Sequence, residues 1–295
     1  MAAPFLHARK IRFSHCDPAG ILYFPNVFDF VNAAVEDWFD SGLGVPFHEF
    51  HMVRRMGNPV VSTDCSFLRA CRFGEEIVLE LSPTRIGRSS MEIGISVKVG
   101  GEERMRLRHK TAMISMDSFR AIEIPPELRA RAMKLLAPER HEPALHALHL
   151  SKAPPAEAFV SRQLVRYSHC DPGGIVYFPR FFDMFNAALE DWFARALDCP
   201  WGDDLMGRRN LSIPTLAIRA EFLRASRLGE TLEYALWPTR LGRSSFTVAL
   251  SGGVAGAERL RAEWTMCVVS AGAFRPVPIP EDLRERMQRV LQSSA

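Results

Sequence analysis

Apolar residues recur along the chain with two periods, and the two periods alternate twice. Val27, Phe28, Val31, Ala34, Val35, Trp38 and Phe39 fall on one 3.6-residue stripe, which predicts a helix over residues 25–41 lying against a sheet. Pro25 suits the first helical position because its missing N–H costs nothing there, and Gly42 and Gly44 stop the helix. Upstream, Ile11 and Phe13 alternate with Lys10 and Arg12, predicting a strand over residues 7–14. After Pro59 the period shortens. Strands are predicted over 60–68, 76–81, 90–99 and 104–116, with Gly100-Gly101 as a hairpin turn and the stretch Pro83 to Ser90 interrupting two of them. A short helix over 125–136 closes the unit.

The plan then repeats. Residues 14–25 read Ser-His-Cys-Asp-Pro-Ala-Gly-Ile-Leu-Tyr-Phe-Pro, and residues 168–179 match them at ten of twelve positions, 154 residues on. Residues 183–193 match 29–39 at eight of eleven positions, and 238–245 match 83–90 at seven of eight. Two copies are too few for a solenoid. They point to a fused pseudo-dimer with domains over 1–137 and 159–295, joined by a linker over 138–158 that is rich in Pro, Ala and His.

With 47% hydrophobic and 24% charged residues the chain reads as an ordinary globular protein, and each half is long enough to bury a core. A net charge of +3 is too small to argue for nucleic acid, although basic clusters suit an anionic small molecule. The six cysteines form no CxxC pair, which favours a reduced, cytoplasmic setting; no signal peptide or apolar membrane-spanning run is expected. No cofactor or metal is called for, since the spacing offers no four convergent ligands.

The chemistry lies in the duplicated stretch. Asp17 and Asp171 stand in Asp-Pro-x-Gly turns, where Gly20 and Gly174 allow a positive φ. An aspartate there commonly does no more than cap its turn. A helix start follows seven or eight residues later, however, and N–H groups at a helix start bind a developing oxyanion. A carboxylate beside them can attack a carbonyl or activate water against it, which makes a minimal kit for acyl transfer to water. His15-Cys16 and His169-Cys170 are poor nucleophilic dyads, because adjacent residues of an extended segment point to opposite sides. His15 shares a face with Asp17 and is expected either to orient that carboxylate or to be structural. Glu36 and Glu190, on the long helix, are the second candidates for the base; the bland reading is a solvated or capping charge.

The run Asp-Pro-Ala-Gly-Ile-Leu-Tyr-Phe-Pro-Asn, followed by an aromatic-rich helix and then Pro-Val-Val-Ser, resembles the 4-hydroxybenzoyl-CoA thioesterase family, and the resemblance covers both halves. It implies an α+β fold of two tandem hotdog domains, each a long helix packed on an antiparallel sheet. It also implies hydrolysis of an acyl-CoA thioester. The family's catalytic aspartate falls on Asp17 and Asp171, and its carbonyl-polarising backbone N–H on Phe24 and Phe178. Family sites lie between paired units, so each site is expected to draw on both halves. The family's common homotetramer implies a homodimer of these double chains. The nucleotide of CoA is expected near Arg85, Arg88 and Ser89 and near Arg240, Arg243 and Ser244, with Gly20 and Gly174 also among the substrate-binding residues. The bland alternative for the arginines is a strand-edge turn with solvated side chains. Asp64, Cys65 and Ser66, with Arg219, Ala220 and Glu221, are expected to line the acyl pocket. Two rivals remain: an acyl-CoA-binding or sensor protein without catalysis, and an enoyl-CoA hydratase of the same fold, for which no histidine stands near Phe24 or Phe178.

Overall fold

The computed structural model describes residues 3–137 and 153–293, which fall into two compact units. Most of the expected linker, residues 138–152, lies outside the described residues.

In the first unit β1 (Phe5–Lys10) leads through a short 3-10 turn, Phe13–His15, to the long helix α1 (Phe24–Asp37). Then come β2 (Met56–Gly57), β3 (Val60–Phe67), β4 (Glu76–Ile86), β5 (Ser90–Val99), β6 (Glu102–Ala112), β7 (Ile114–Ser115) and α2 (Pro126–Lys134). The main sheet of this unit has the order β1-β4-β5-β6-β3, every neighbour antiparallel.

The second unit repeats this with β8 (Phe159–Leu164), α3 (Phe178–Arg195), β9 (Leu211–Ser212), β10 (Thr215–Phe222), β11 (Thr231–Leu241), β12 (Ser245–Val254), β13 (Ala257–Cys267), β14 (Val269–Ser270) and α4 (Glu281–Ser293). Its sheet order, β8-β11-β12-β13-β10, is that of the first unit.

Each helix buries the stripe that its sequence predicts. In α1 it is Val27, Phe28, Val31, Ala34 and Val35, with Phe30 buried beside them, and the facing strands bury every second residue, as Ile77, Leu79 and Leu81 do in β4. In the second unit the Tyr234 hydroxyl of β11 donates to the Met184 sulfur of α3 at 3.3 Å, with the Phe185 ring 5.9 Å from that of Tyr234. The first strand is tied to the end of the long helix in both units, by His7 Nδ1 to Asp37 at 2.7 Å and by Ser161 Oγ to Asp191 at 2.6 Å.

Three boundaries and one grouping of residues differ from expectation. The first strand ends at Lys10, because residues 13–15 coil into the 3-10 turn. The first long helix passes into a π-helical turn, Trp38–Gly42, where a Cβ on Gly42 would collide with the Trp38 indole; Gly44, with φ +60°, then ends it. The strand expected to stop at Leu81 runs on to Ile86: Pro83 is accommodated by a bulge in the pairing between Pro83 and Arg85. Finally, Asp64, Cys65 and Ser66 do not line one surface. Cys65 is buried on the helix side beside Leu107, while Asp64 faces the other way, 3.8 Å from Arg108. The same alternation separates Ala220 from Arg219 and Glu221, the latter two paired at 3.1 Å.

Candidate active site

Residues 15–23 form a narrow hairpin hung on the start of α1. The Asp17 N–H donates to Ile21 O at 2.9 Å, Cys16 bridges to Leu22, and the Tyr23 N–H donates to His15 O at 3.0 Å. Tyr23 is the residue that caps α1, with Phe24 first in the helix and Pro25 second. The turn is closed by the Gly20 N–H to Asp17 O at 2.9 Å, with Gly20 at φ +74°. That left-handed conformation is why a glycine stands there; its place in the turn is conformational. The second copy reproduces the hairpin: Asp171 N–H to Ile175 O at 3.0 Å, Tyr177 N–H to His169 O at 2.9 Å, Gly174 at φ +76°. The caps agree too, Tyr23 at φ −60°, ψ 122° and Tyr177 at φ −61°, ψ 121°.

The carboxylates serve this hairpin with one oxygen. Asp17 Oδ1 accepts the Ala19 N–H at 2.9 Å and the Ile21 N–H at 3.4 Å, and Asp171 Oδ1 accepts the Gly173 N–H at 2.8 Å. These are the Asx turns that the bland reading foresees. For Asp17, Oδ2 accepts no hydrogen bond among the described residues. Burial pushes the Asp17 carboxyl above its ordinary value, against the two backbone N–H bonds that favour the charged form.

His15 does not reach that carboxylate. Its Nδ1 accepts the Arg12 N–H at 3.0 Å and its ring packs edge-on against Phe30, 4.9 Å between centroids. Burial, with Arg9 and Arg12 nearby, lowers its pKa. The 3-10 turn, which replaces the extended segment expected at 13–15, holds the histidine on the Arg12 N–H rather than on the carboxylate. Cys16 Sγ points to Arg12 O at 3.6 Å, so no Cys–His pair forms.

One residue passed over in the sequence joins the assembly. Asn26 donates its side-chain amide to His15 O at 3.0 Å, a second tie between hairpin and helix. Arg180 occupies the matching position in the second copy, bonded instead to Asp183 at 3.0 Å and lying over the Tyr177 ring. Asn26→Ala is expected to cost about 1 kcal/mol of stability and to lower turnover several-fold at the first site alone. Kinetics in an Asp171→Asn background check this, and an unchanged rate there would remove Asn26 from the site.

Glu36 is half-buried and accepts the Asn32 amide at 2.5 Å; Glu190 accepts the Asn186 amide at 2.6 Å. Both are raised in pKa by desolvation. They are held carboxyls rather than freely solvated charges.

The arginine turns lie elsewhere in each unit. β4 runs 11 residues from the Asp17 hairpin's end of the sheet to the turn at Arg88, and at roughly 3.3 Å per residue the two are on the order of 30 Å apart. Arg85 and Arg88 are 78% and 83% exposed, with only long contacts to Glu92 and Glu123 at 4.0 and 3.4 Å. Arg240 and Arg243 are exposed as well. The turn itself is gripped from behind, by Arg129 to Gly87 O at 2.5 Å and by Arg284 to Gly242 O at 2.6 Å. Among the described residues no three ligating side chains converge on a metal site, and no helix is long and apolar enough to cross a membrane.

A long helix packed on a five-stranded antiparallel sheet, with an aspartate hairpin feeding the helix, makes each unit a hotdog domain. The chain belongs to the thioesterase-like superfamily, a group of thioester hydrolases whose family model matches residues 11–132 and again 165–287. It is 30% identical over 136 residues to the 4-hydroxybenzoyl-CoA thioesterase of Pseudomonas sp. (strain CBS-3), covering 43% of this chain and 96% of that protein. The 1,4-dihydroxy-2-naphthoyl-CoA hydrolase of Nostoc punctiforme is 27% identical over 124 residues, 42% of this chain and 83% of that protein. Among solved structures, the 12:0-ACP thioesterase from Umbellularia californica superposes with a TM-score of 0.72 at 17% identity, over 90% of this chain and 97% of that one. At that identity the likeness is one of fold.

Proposed function

We propose that the chain hydrolyses aromatic acyl-CoA thioesters to the free acid and CoA. The observation that carries this reading is the aspartate hairpin hydrogen-bonded to the cap of the long helix, in both copies with the same backbone angles. Asp17 and Asp171 take a proton from a water that attacks the thioester carbonyl carbon, or attack that carbon themselves to give a mixed anhydride, which water then hydrolyses to the free acid and the restored carboxylate. The N–H at the helix start, on Phe24 or Phe178, faces the growing negative charge on the carbonyl oxygen, where the positive end of the helix dipole adds to it. The C–S bond then breaks, and the CoA thiolate leaves and takes up a proton. The exposed Arg85, Arg88, Arg240 and Arg243, with Ser89 and Ser244 beside them, stand too far from the aspartate of their own unit to serve it, and are proposed as contacts for the phosphates of a CoA whose thioester lies at another aspartate. The aromatic acyl group is proposed from the names of the two CoA-dependent relatives. A panel of aromatic and straight-chain acyl-CoAs, read by a thiol-detecting dye, tests the reading: tight binding with no thiol released would favour a sensor.

The pH dependence follows from the raised Asp17 value. Only the ionised carboxylate attacks or accepts a proton, so activity is present above that pKa and is lost as pH falls through it. In an Asp171→Asn background the acid limb of kcat/KM is expected above the ordinary aspartate value of about 3.9. A limb at or below that value would place the titration on another group.

A further inference from the structure

The small helix that closes each unit carries a second duplicated pattern. Residues 124–131 and 279–286 both read Ile-Pro-x-x-Leu-Arg-x-Arg. Leu128 and Leu283, each 1% exposed, seat α2 on β4 and α4 on β11. The first arginine of the pattern reaches the arginine turn. Arg129 donates to Gly87 O at 2.5 Å, and Arg284 to Gly242 O at 2.6 Å and Arg243 O at 3.0 Å. The second reaches the segment beyond the long helix, Arg131 bonding to Leu43 O at 2.6 Å and Arg286 to Asp198 at 3.3 Å. Each closing helix therefore braces the turn against the end of the long helix of its own unit.

Every carbonyl of the turn is taken. Ser90 O accepts the Gly87 N–H at 2.8 Å, Ser89 O the Met113 N–H at 2.7 Å, and Arg88 O the Ile124 N–H at 2.9 Å. Ser245 O, Ser244 O and Arg243 O are held in the same way by the N–H groups of Gly242, Val268 and Ile279, at 2.7, 2.7 and 2.9 Å. Only Gly87 O and Gly242 O depend on a side chain, and the arginine supplies it. A Cβ on these glycines would lie 3.0 Å from Ser90 Oγ and 2.9 Å from Ser245 Oγ, so the corner is packed as well as bonded. The N–H groups of Arg88, Ser89, Arg243 and Ser244, by contrast, donate to no acceptor among the described residues. The turn thus has donors and cations to spare and no spare backbone acceptor, which suits an anion.

Arg129 and Arg284 are half-buried and make no ion pair among the described residues. A neutral donor would satisfy a carbonyl as well. A cation without a carboxylate, set beneath this turn in both units, also adds to the turn's pull on an anion. We propose that Arg129 and Arg284 are positioning residues for the nucleotide end of CoA. Neither touches the substrate. Each holds its turn in the one shape in which the unbonded N–H groups, the serine and the exposed arginines meet the phosphates together. The cost of ordering the turn is then met in the free protein rather than on binding. This inference rests on the proposal above that the turn contacts the CoA phosphates, and it adds the residues that hold the turn ready.

The test presents one acyl group to the full chain in two forms, on CoA and on pantetheine, which lacks the nucleotide. Arg129→Ala/Arg284→Ala is expected to raise KM for the CoA form about tenfold with kcat held, and to leave KM for the pantetheine form where it was. A merely structural role would shift both forms together, and that outcome overturns the inference. A parental KM for the CoA form overturns it as well. Should the alanine pair fail to fold, Arg129→Gln/Arg284→Gln decides: a rise of about threefold for the CoA form alone supports the inference, and a parental KM overturns it. Arg85→Ala/Arg88→Ala/Arg240→Ala/Arg243→Ala separates this inference from the reading it rests on. If that variant weakens the CoA form and the alanine pair does not, the positioning role alone fails. If it leaves the CoA form untouched, the phosphates lie elsewhere and both fail. Absence of turnover on every thioester defeats the hydrolase reading alone; calorimetric titration with CoA then decides, a Kd about tenfold weaker in the alanine pair supporting the positioning role and an equal Kd overturning it.

Discussion

The double variant Asp17→Asn/Asp171→Asn is expected to lose about 10²–10⁴-fold in kcat/KM for aromatic acyl-CoAs. Asparagine keeps an oxygen that can accept the Ala19 and Gly173 N–H groups, which Asp17 and Asp171 now hold at 2.9 and 2.8 Å, so the turn persists while the negative charge is gone. The loss therefore reports chemistry rather than folding, and an unchanged circular dichroism spectrum checks that. Single variants divide the activity between the copies. If both sites work, each leaves about half the rate; if one is a scaffold, one single variant already shows the whole loss. Glu36→Gln/Glu190→Gln is the contrasting pair. Turnover that survives the aspartate changes but disappears with the glutamates would move the base onto the helix, where those carboxyls are held by Asn32 and Asn186.

Trp192→Ala is expected to destabilise the protein by about 3–5 kcal/mol, the cost of emptying a fully packed indole site. Trp192 is 1% exposed and meets Phe193 edge-on at 5.5 Å; Phe193 in turn lies 5.9 Å from Trp201 and 6.1 Å from Phe246. The indole thus sits in an aromatic cluster that joins α3 to β12 and to the segment beyond the helix. Relaxation around it is limited by large, rigid rings, so the cavity persists. Trp192 and Phe178 stand at opposite ends of α3, on the order of 20 Å apart at 1.5 Å per residue, so turnover well below the transition is expected to stay near that of the parent. The urea midpoint measures the effect, with a steady slope showing that stability alone has changed. A shift worth under about 1 kcal/mol would mean that the cluster is not what seats the helix.

The halves differ most where packing, not the hairpin, sets the residue. His109 is buried in β6 with its pKa lowered by desolvation to about 4, and the matching position in β13 holds Trp264, which donates to Thr215 at 2.9 Å. Glu263, buried in β13, is raised by desolvation to about 7, while the matching Arg108 of β6 is a cation. The shared hairpins therefore sit on two chemically distinct cores.

Much of this protein is legible in its sequence because local geometry has periods. The apolar stripe of Val27 to Phe39 requires a helix, the alternation in residues 90–99 a strand, and Asp-Pro-x-Gly a turn with a positive φ at its glycine. The repeat carries the two-domain plan with it. What only the tertiary structure decided depends on contacts between residues distant in sequence. It turned residues 13–15 into a 3-10 coil and His15 away from Asp17, because the His15 carbonyl is taken by Tyr23 and Asn26 and its ring by Phe30. It carried β4 through Pro83, because a bulge can absorb a missing N–H once β5 lies alongside. It also set Arg72, and not the arginines of the Pro83–Ser90 stretch, beside the aspartate hairpin of the same unit, because an antiparallel strand of 11 residues separates its two ends by its whole length.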